Sequence, residues 1–518
     1  MRIPFVSRAY GAVARILASA AGAVRWVGNR TRDAWRTLRA IPWTVLRARL
    51  LLGLVVVMMS VFWGYATAIF GVNALYIVMG LVLSAFILID FRFGALLLII
   101  IIPISGSKFF PHQLLGITGL NPTNLLLGAT LFSYAVRRAL SPSNHRFFPK
   151  ELVWLFLAPI FVAALLGSTH VQEIPGFLLI GPSALSYDNA TGYLRDVFVR
   201  PLFVVLFALI LAAAVAETKD IRRYLITGVI SVWIMILLVL FYFLTSGLSL
   251  GDVGGDTQRG FFSPLGFHAN QLGRLYAIVF ALFIFSAAAY PNKAAKIFIW
   301  FSAGMAGFAA MLSFSRGGFL VLLVIGLLYL YSLRRKNLLP VLALALPLLL
   351  LALPGAFYKR IAYGFDQGAD LNTISSSRTE EIWAPLIPEI FDSPLIGHGL
   401  SLIVWSKSML SQAIIPVTHP HNAYLELLLD VGFVGTILIL LFYWRIWKRF
   451  RALAQNQDID PGLRGLFTGA SVALVGFSVG GISGSSFEPI IEQVYLWFAI
   501  GLAYGVTSRM EMRERQYG

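Results

Sequence analysis

There is no cysteine among the 518 residues. That excludes disulfides, thiolate metal sites and cysteine nucleophiles, and it fits an oxidising compartment. Charge is scarce as well. Only 13% of residues are charged and 58% are apolar, where a soluble domain runs about 25% and about 45–50%. A water-soluble core cannot hide so much apolar surface, so lipid is the solvent for most of the chain. No G-x-x-x-x-G-K-[ST] is present, which excludes ATP hydrolysis on a P-loop. The sequence shows no internal repeat and no low-complexity tract.

What the chain does have is long apolar runs, among them Leu51–Phe70, Phe203–Ala216, Ile226–Leu244 and Leu338–Leu353. Each approaches the roughly 20 residues that cross a hydrocarbon layer of about 30 Å. Lipid offers the backbone no hydrogen bonds, so such runs are helices or closed barrels. A barrel strand would alternate in hydrophobicity, and these do not. The expected fold is an all-α polytopic bundle of about 12–14 spans, at 51–70, 74–90, 93–105, 122–136, 151–168, 195–215, 223–245, 269–289, 296–313, 317–333, 338–356, 423–444, 464–483 and 489–508. The lower count applies if the short third and fourth are re-entrant.

A net charge of +17 would suggest nucleic acid in a soluble protein. Here its location decides otherwise, and no nucleic-acid partner is expected. With residues 1–50 inside, the inner segments hold 31 Lys/Arg and 9 Asp/Glu, the outer ones 10 and 15. Cytoplasmic loops carry this excess of cations, so both termini are expected inside. Residues 1–50 contain ten arginines, no lysine and one acid, Asp33, interleaved with Trp26, Trp35 and Trp43. They read as a basic interfacial segment on anionic lipid, a disordered basic tail or a targeting segment being the alternatives. The expected organisation is 1–50 basic segment, 51–357 spans one to eleven, 358–422 a folded periplasmic loop, 423–508 the last three spans, and 509–518 a cytoplasmic tail.

Chemistry-bearing residues gather on the outer side. Arginine near membrane depth is expensive and is usually paired or functional. Arg195 and Arg200 start the sixth span, Arg259 and Arg274 flank the start of the eighth, Arg316 lies in Ser313-Phe314-Ser315-Arg316-Gly317-Gly318, and Arg378 opens a run to Ile390 with helical spacing. Guanidinium groups fork onto phosphate oxygens and stay charged, so several together could hold a pyrophosphate without metal. Arg274, deeper in its span, is the weaker candidate. The loop ends in His419-Pro420-His421-Asn422 at the mouth of a span. A neutral imidazole there could take a proton from a hydroxyl; the alternative is a polar capping cluster with Asn422 as the cap. Glu380, Glu381 and Asp366 are the next candidate bases. No HExxH, CxxC or outer Asp-x-Asp is present, so a zinc or magnesium site has no ligand set in the sequence.

Several of these stretches have a familiar order. Ser377-Arg378-Thr379 with Trp383, Ser393-Pro394-Leu395-Ile396-Gly397-His398-Gly399-Leu400, His419 through Glu426, and Gly432 with Gly435 resemble the O-antigen ligase/polymerase superfamily. Ser315-Arg316-Gly317-Gly318 is similar to that family's arginine turn, and Arg259-Gly260 with His268-Ala269-Asn270 to its upstream segment. The resemblance covers about 255–440. It implies a GT-C-type membrane glycosyltransferase of the bacterial inner membrane, taking a glycan from undecaprenyl diphosphate in the outer leaflet. The acceptor would be another lipid-linked glycan, in a polysaccharide or O-antigen polymerase, or lipid A–core, in a ligase; the reading leans to the polymerase. It also implies His421 as base and Arg316 and Arg378 on the diphosphate, with Arg195, Arg200 and Arg259 less securely matched. His419, Asn422, Asn270 and Glu380 would support them, inversion would result, and neither cofactor nor metal would be needed. A transporter or flippase is the competing reading, but transporters place polar sites near the midplane on broken, repeated helices.

Overall fold

The computed structural model describes residues 43–114, 117, 119–140, 146–179, 185, 187–247, 262–333, 355, 372, 375, 377–411, 417–484 and 486–517. Among them there is no strand; a single antiparallel bridge joins Leu114 and Ile117. The protein is an all-α polytopic bundle. In chain order its helices are α1 (Trp43–Phe70), α2 (Val72–Ile89), α3 (Phe91–Ile104), α4 (Pro122–Leu140), α5 (Lys150–Ser168), α6 (Ala190–Glu217), α7 (Arg222–Thr245), α8 (Ala269–Ala289), α9 (Lys293–Leu312), α10 (Arg316–Leu333), α11 (379–391), α12 (Ala423–Gln455), α13 (Pro461–Gly480) and α14 (Val494–Tyr517). The helices α5 to α9, α12 and α13 are long and apolar enough to cross a membrane, and α1, α2, α3 and α10 contain shorter apolar stretches. Every expected span falls on a helix except 338–356, which apart from residue 355 lies outside the described residues, as does most of the basic segment 1–50.

Residues 1–79 and 80–518 form separate compact units. In the first, α1 exposes Val56, Met58, Met59 and Val61 on all sides, the pattern of a helix surrounded by lipid.

In the second, prolines shape the helices. The π turns Val153–Leu157, Arg195–Val199 and Thr379–Trp383 each end just before a proline, Pro159, Pro201 and Pro385. Proline lacks an N–H and its ring clashes with the carbonyl four residues back. A wider turn relieves both problems. Among the candidate spans, α8 is the most buried. It meets α13 at Gly465 and Gly469, where a Cβ would lie 2.6 and 2.4 Å from the carbonyl oxygens of Phe285 and Ala281. In the same way α14 lies on α6 through Gly501 and Gly505, against the carbonyls of Ala208 and Ala212. Pairs of glycines four apart let backbones approach where lipid gives no hydrophobic drive to association, so that dispersion does the holding.

The segment 393–402 docks on a break in α12. Gly432 there has φ 65° and ψ −173°, a conformation that a side chain resists. The amides of Phe433 and Val434 donate to the carbonyls of Pro394 and Leu395 at 2.7 and 3.1 Å, and those of His398 and Gly399 to Leu429 and Asp430 at 2.9 and 3.0 Å. The Asp430 carboxylate accepts from the amides of Ser401 and Leu402, and Tyr193 donates to the Leu400 carbonyl at 2.6 Å. Backbone freed by the break is thus paired again, a requirement at membrane depth.

Cations collect at one end of the bundle. Arg445, Lys448, Arg449 and Arg451 lie in the second half of α12; Arg449 pairs with Glu151 at the start of α5, and Arg137 near the end of α4 with Glu217 at the end of α6. The helices α8, α10 and α12 start at the opposite end.

Candidate functional site

That opposite end is organised around two turns, 417–422 before α12 and 481–484 after α13. Asn422 caps α12, its side-chain oxygen accepting from the amides of Tyr424 and Leu425 at 3.1 and 3.2 Å. The Pro420 carbonyl accepts from the Trp383 indole at 2.8 Å, tying α11 to the turn. His421 is held at φ 54°, a left-handed conformation uncommon outside glycine and found more often for His, Asn and Asp than for bulky residues. Such strain persists only where the surroundings impose it. Gly484 lets the two turns close here: a Cβ on Gly484, itself at φ 112°, would lie 3.3 Å from the His421 Cα, carbonyl oxygen and Nδ1. The rings of His419 and His421 sit 4.0 Å apart, centre to centre.

Arginines approach this pair from separate elements. Arg378, at the start of α11, donates to the Ser483 carbonyl at 3.1 Å. Arg274, near the start of α8, makes a buried two-pronged pair with Glu492, Nε to Oε1 and Nη2 to Oε2, each at 3.0 Å. Its Nη1 is buried with no hydrogen-bond partner among the described residues. Arg316 opens α10 on a turn built from buried serines: Ser315 Oγ accepts from the Gly318 amide and Ser313 Oγ from the Ser315 amide. Gly318 lies against Gly273, the residue before Arg274, and Gly317 against Ser483. Small residues therefore let the starts of α8 and α10 close on the 481–484 turn. His268 caps α8, its Nδ1 accepting from the Asn270 amide at 3.3 Å while the Gln271 side chain accepts from the His268 amide at 2.9 Å. Asn270 occupies the first turn behind that cap.

The electrostatics follow. Burial depresses His421 first, then the neighbouring His419, Arg378, His268 and Arg274, and its pKa falls to about 3. His419 is also lowered, by desolvation and then by Arg274, Arg378 and His268, with Glu492 opposing. Cations and burial both disfavour the charged imidazole, so the pair is neutral at neutral pH with ring nitrogens able to accept a proton. Three helix N-termini, of α8, α10 and α12, add partial positive charge at the same end. The arrangement suits an anionic ligand beside a neutral base.

Among the expected site residues, the structure brings Arg316, Arg378, His419, His421, Asn422 and Asn270 to these turns. It does not bring Arg195 and Arg200 there. Both pair with Asp196, at 2.9 and 3.3 Å, with side chains largely open to solvent. Glu380 is exposed on α11 and accepts from Asn372 at 3.0 Å. Arg259 and Asp366 lie outside the described residues. The expected helix from Arg378 to Ile390 forms, as α11. Among the described residues no three His, Cys, Asp or Glu side chains group to hold a metal. Sequence reasoning gave too little weight to Arg274 and missed Glu492, Ser483 and Gly484. An acid and an arginine inside apolar runs were the available signal.

Residues 301–440 match the family model described as O-Antigen ligase, so the resemblance read from the motifs is shown there. The match takes in Arg316, Arg378 and the histidine turn, and stops before Ser483, Gly484 and Glu492. No curated protein matches the chain.

Proposed function

We propose that this O-antigen ligase-type enzyme transfers a glycan from undecaprenyl diphosphate to a sugar hydroxyl of a lipid-linked acceptor, at the periplasmic face of the bacterial inner membrane, with both termini cytoplasmic. The observation that carries the reading is the neutral histidine pair faced by Arg378 and Arg274. His421 accepts the proton of the attacking hydroxyl. The oxygen attacks the anomeric carbon from the face opposite the diphosphate, the C–O bond to the diphosphate breaks, and the configuration inverts. Arginines, Arg378 and Arg316 foremost, stabilise the charge that grows on the departing diphosphate. The leaving group is already activated, so no nucleotide is needed, and guanidinium groups take the place a metal would have.

A base with a pKa near 3 is weak. A bound diphosphate offsets the cations that depress it and raises its basicity, so His421 becomes an effective base only with the donor in place. The transporter reading is disfavoured by the break in α12, because the chain's own segment 393–402 pairs with the backbone on both sides of it, where a transporter would turn such groups toward an ion.

Purified enzyme given lipid-linked donor, with lipid-linked glycan and lipid A–core offered separately as acceptors and excess EDTA present, tests the reaction. Product in one arm is expected and identifies polymerase or ligase, with the lean to polymerase. Turnover that stops with EDTA and returns with a divalent ion overturns the arginine assignment.

A further inference from the structure

The loop helix has two apolar faces. One is buried, with Ile382, Leu386 and Ile390 inside the protein. The other begins polar, at Glu380 and Glu381, and turns apolar at Ile387 and Phe391, continuing into Leu395 and Ile396 beyond the helix. Those four side chains are 47, 70, 64 and 57% exposed. Exposed apolar patches of this kind mark an interaction surface.

Its neighbour says what covers it. The carbonyls of Pro394 and Leu395 accept from Phe433 and Val434, and Phe433, Val434 and Ile437 are themselves exposed on α12, a helix apolar enough to span a membrane. The patch is therefore continuous with a surface that faces lipid. Depth gives a second argument. Trp444 and Trp447 stack at 5.0 Å, with Lys448 over Trp444 and Arg451 over Trp447; aromatic and basic residues mark the interface at that end of α12. From Trp444 back to Phe433 the helix climbs about 17 Å at about 1.5 Å per residue, and the hydrocarbon layer is about 30 Å thick. The docked segment lies below the far surface, inside the slab. Its backbone pairing with the broken helix is what irregular chain needs there. The polar rim is the exposed pair Lys407 and Asp392, 2.8 Å apart.

We propose that residues 387–400 are seated in the leaflet at the site end of the bundle, with Ile387, Phe391, Leu395 and Ile396 against lipid acyl chains. Arg378, at the polar start of the same helix, is then held at headgroup level, where the phosphates of a lipid-linked donor lie; this last clause rests on the proposed reaction, the seating does not.

The chain has no cysteine, so single cysteines can be spin-labelled without background. Full-length protein carrying I387C, F391C, L395C or I396C, in phosphatidylethanolamine/phosphatidylglycerol nanodiscs, is compared with I437C as lipid reference and K407C as water reference. Accessibility to oxygen over a water-soluble nickel chelate is expected to rank these positions with 437. Ranking with 407 overturns the proposal. Protection from both reagents also overturns it, since that is the mark of a protein partner. The readout needs no turnover, so it stands or falls apart from the proposed reaction.

Discussion

The first nine residues of α12 run between two irregular points, and the contrast between them is instructive. At Gly432 every named polar group of the break has a partner: the 394–399 backbone bonds to the helix, and Asp430 accepts two amides. At His421, eleven residues earlier, the backbone is equally unusual but the chemistry is unfinished. Two imidazoles are held neutral among cations, and Arg274 keeps a buried nitrogen with no hydrogen-bond partner among the described residues. Similar local strain serves assembly in one place and reactivity in the other. What separates them is whether the surrounding polar groups are satisfied.

Breaking the joint should have the largest effect. Gly432→Ala puts a Cβ 2.5 Å from the Gly397 nitrogen at a left-handed φ. The conformation, at extended ψ where essentially only glycine is found, costs about 1–3 kcal/mol and the overpacking about 1–3 kcal/mol. Thermal unfolding in detergent should show a lower Tm and poorer monodispersity. An unchanged Tm would mean that the segment 393–402 does not hold α12.

Breaking the reactive turn should leave the fold and remove the chemistry. His421→Asn keeps a residue that tolerates the left-handed region and should lower turnover by about 10²–10⁴-fold, with donor binding and Tm near normal. Retained turnover in His421→Asn together with loss in His419→Ala would reverse the roles of the pair.

The pH dependence sharpens the same contrast. With His421 at about 3 instead of 6.5, kcat/KM should hold on acidification from pH 7 to about 5, where an unperturbed histidine base would already be failing. Arg378→Ala removes one of the depressing cations, so its acid limb should move to higher pH. Stability has its own sign. The folded pKa is depressed, so the unfolded chain binds more protons below 6.5, and stability should decline as pH falls from there toward 3. Measuring Tm beside rate keeps the two apart. A wild-type acid limb near 6.5 would remove His421 as the free enzyme's base.

The smallest effect is expected at Arg195 and Arg200. Exposed ion pairs contribute about 0–1 kcal/mol, so Arg195→Ala and Arg200→Ala should keep turnover within about fivefold. A loss comparable with Arg378→Ala would mean that the donor draws them into the site.

Much of this was legible in advance because it is local. Apolar runs set the spans, and His419-Pro420-His421-Asn422 and the Ser313–Gly318 turn advertised themselves by composition. Pairings across long separations were not legible. Arg274 meets Glu492 from 218 residues away, and no periodicity announces that. Arg195 and Arg316 looked alike at span starts, yet Asp196, one residue along, engages the first. Gly432 was visible as a family glycine, but the loop it receives was not.

The π turn at Arg195–Val199 has a consequence for register. It holds one residue more than a regular turn, so it turns everything before it by about 100° around the helix axis relative to everything after. Tyr193 stands just before it and reaches the Leu400 carbonyl; the face of α6 that receives Gly501 and Gly505 stands after it. The two docking faces of one helix are set against each other like offset teeth on a key, and the offset is a single residue. Side chains in that turn can vary widely, but its length cannot, because losing one residue would swing Tyr193 away from the loop while α14 stayed in place.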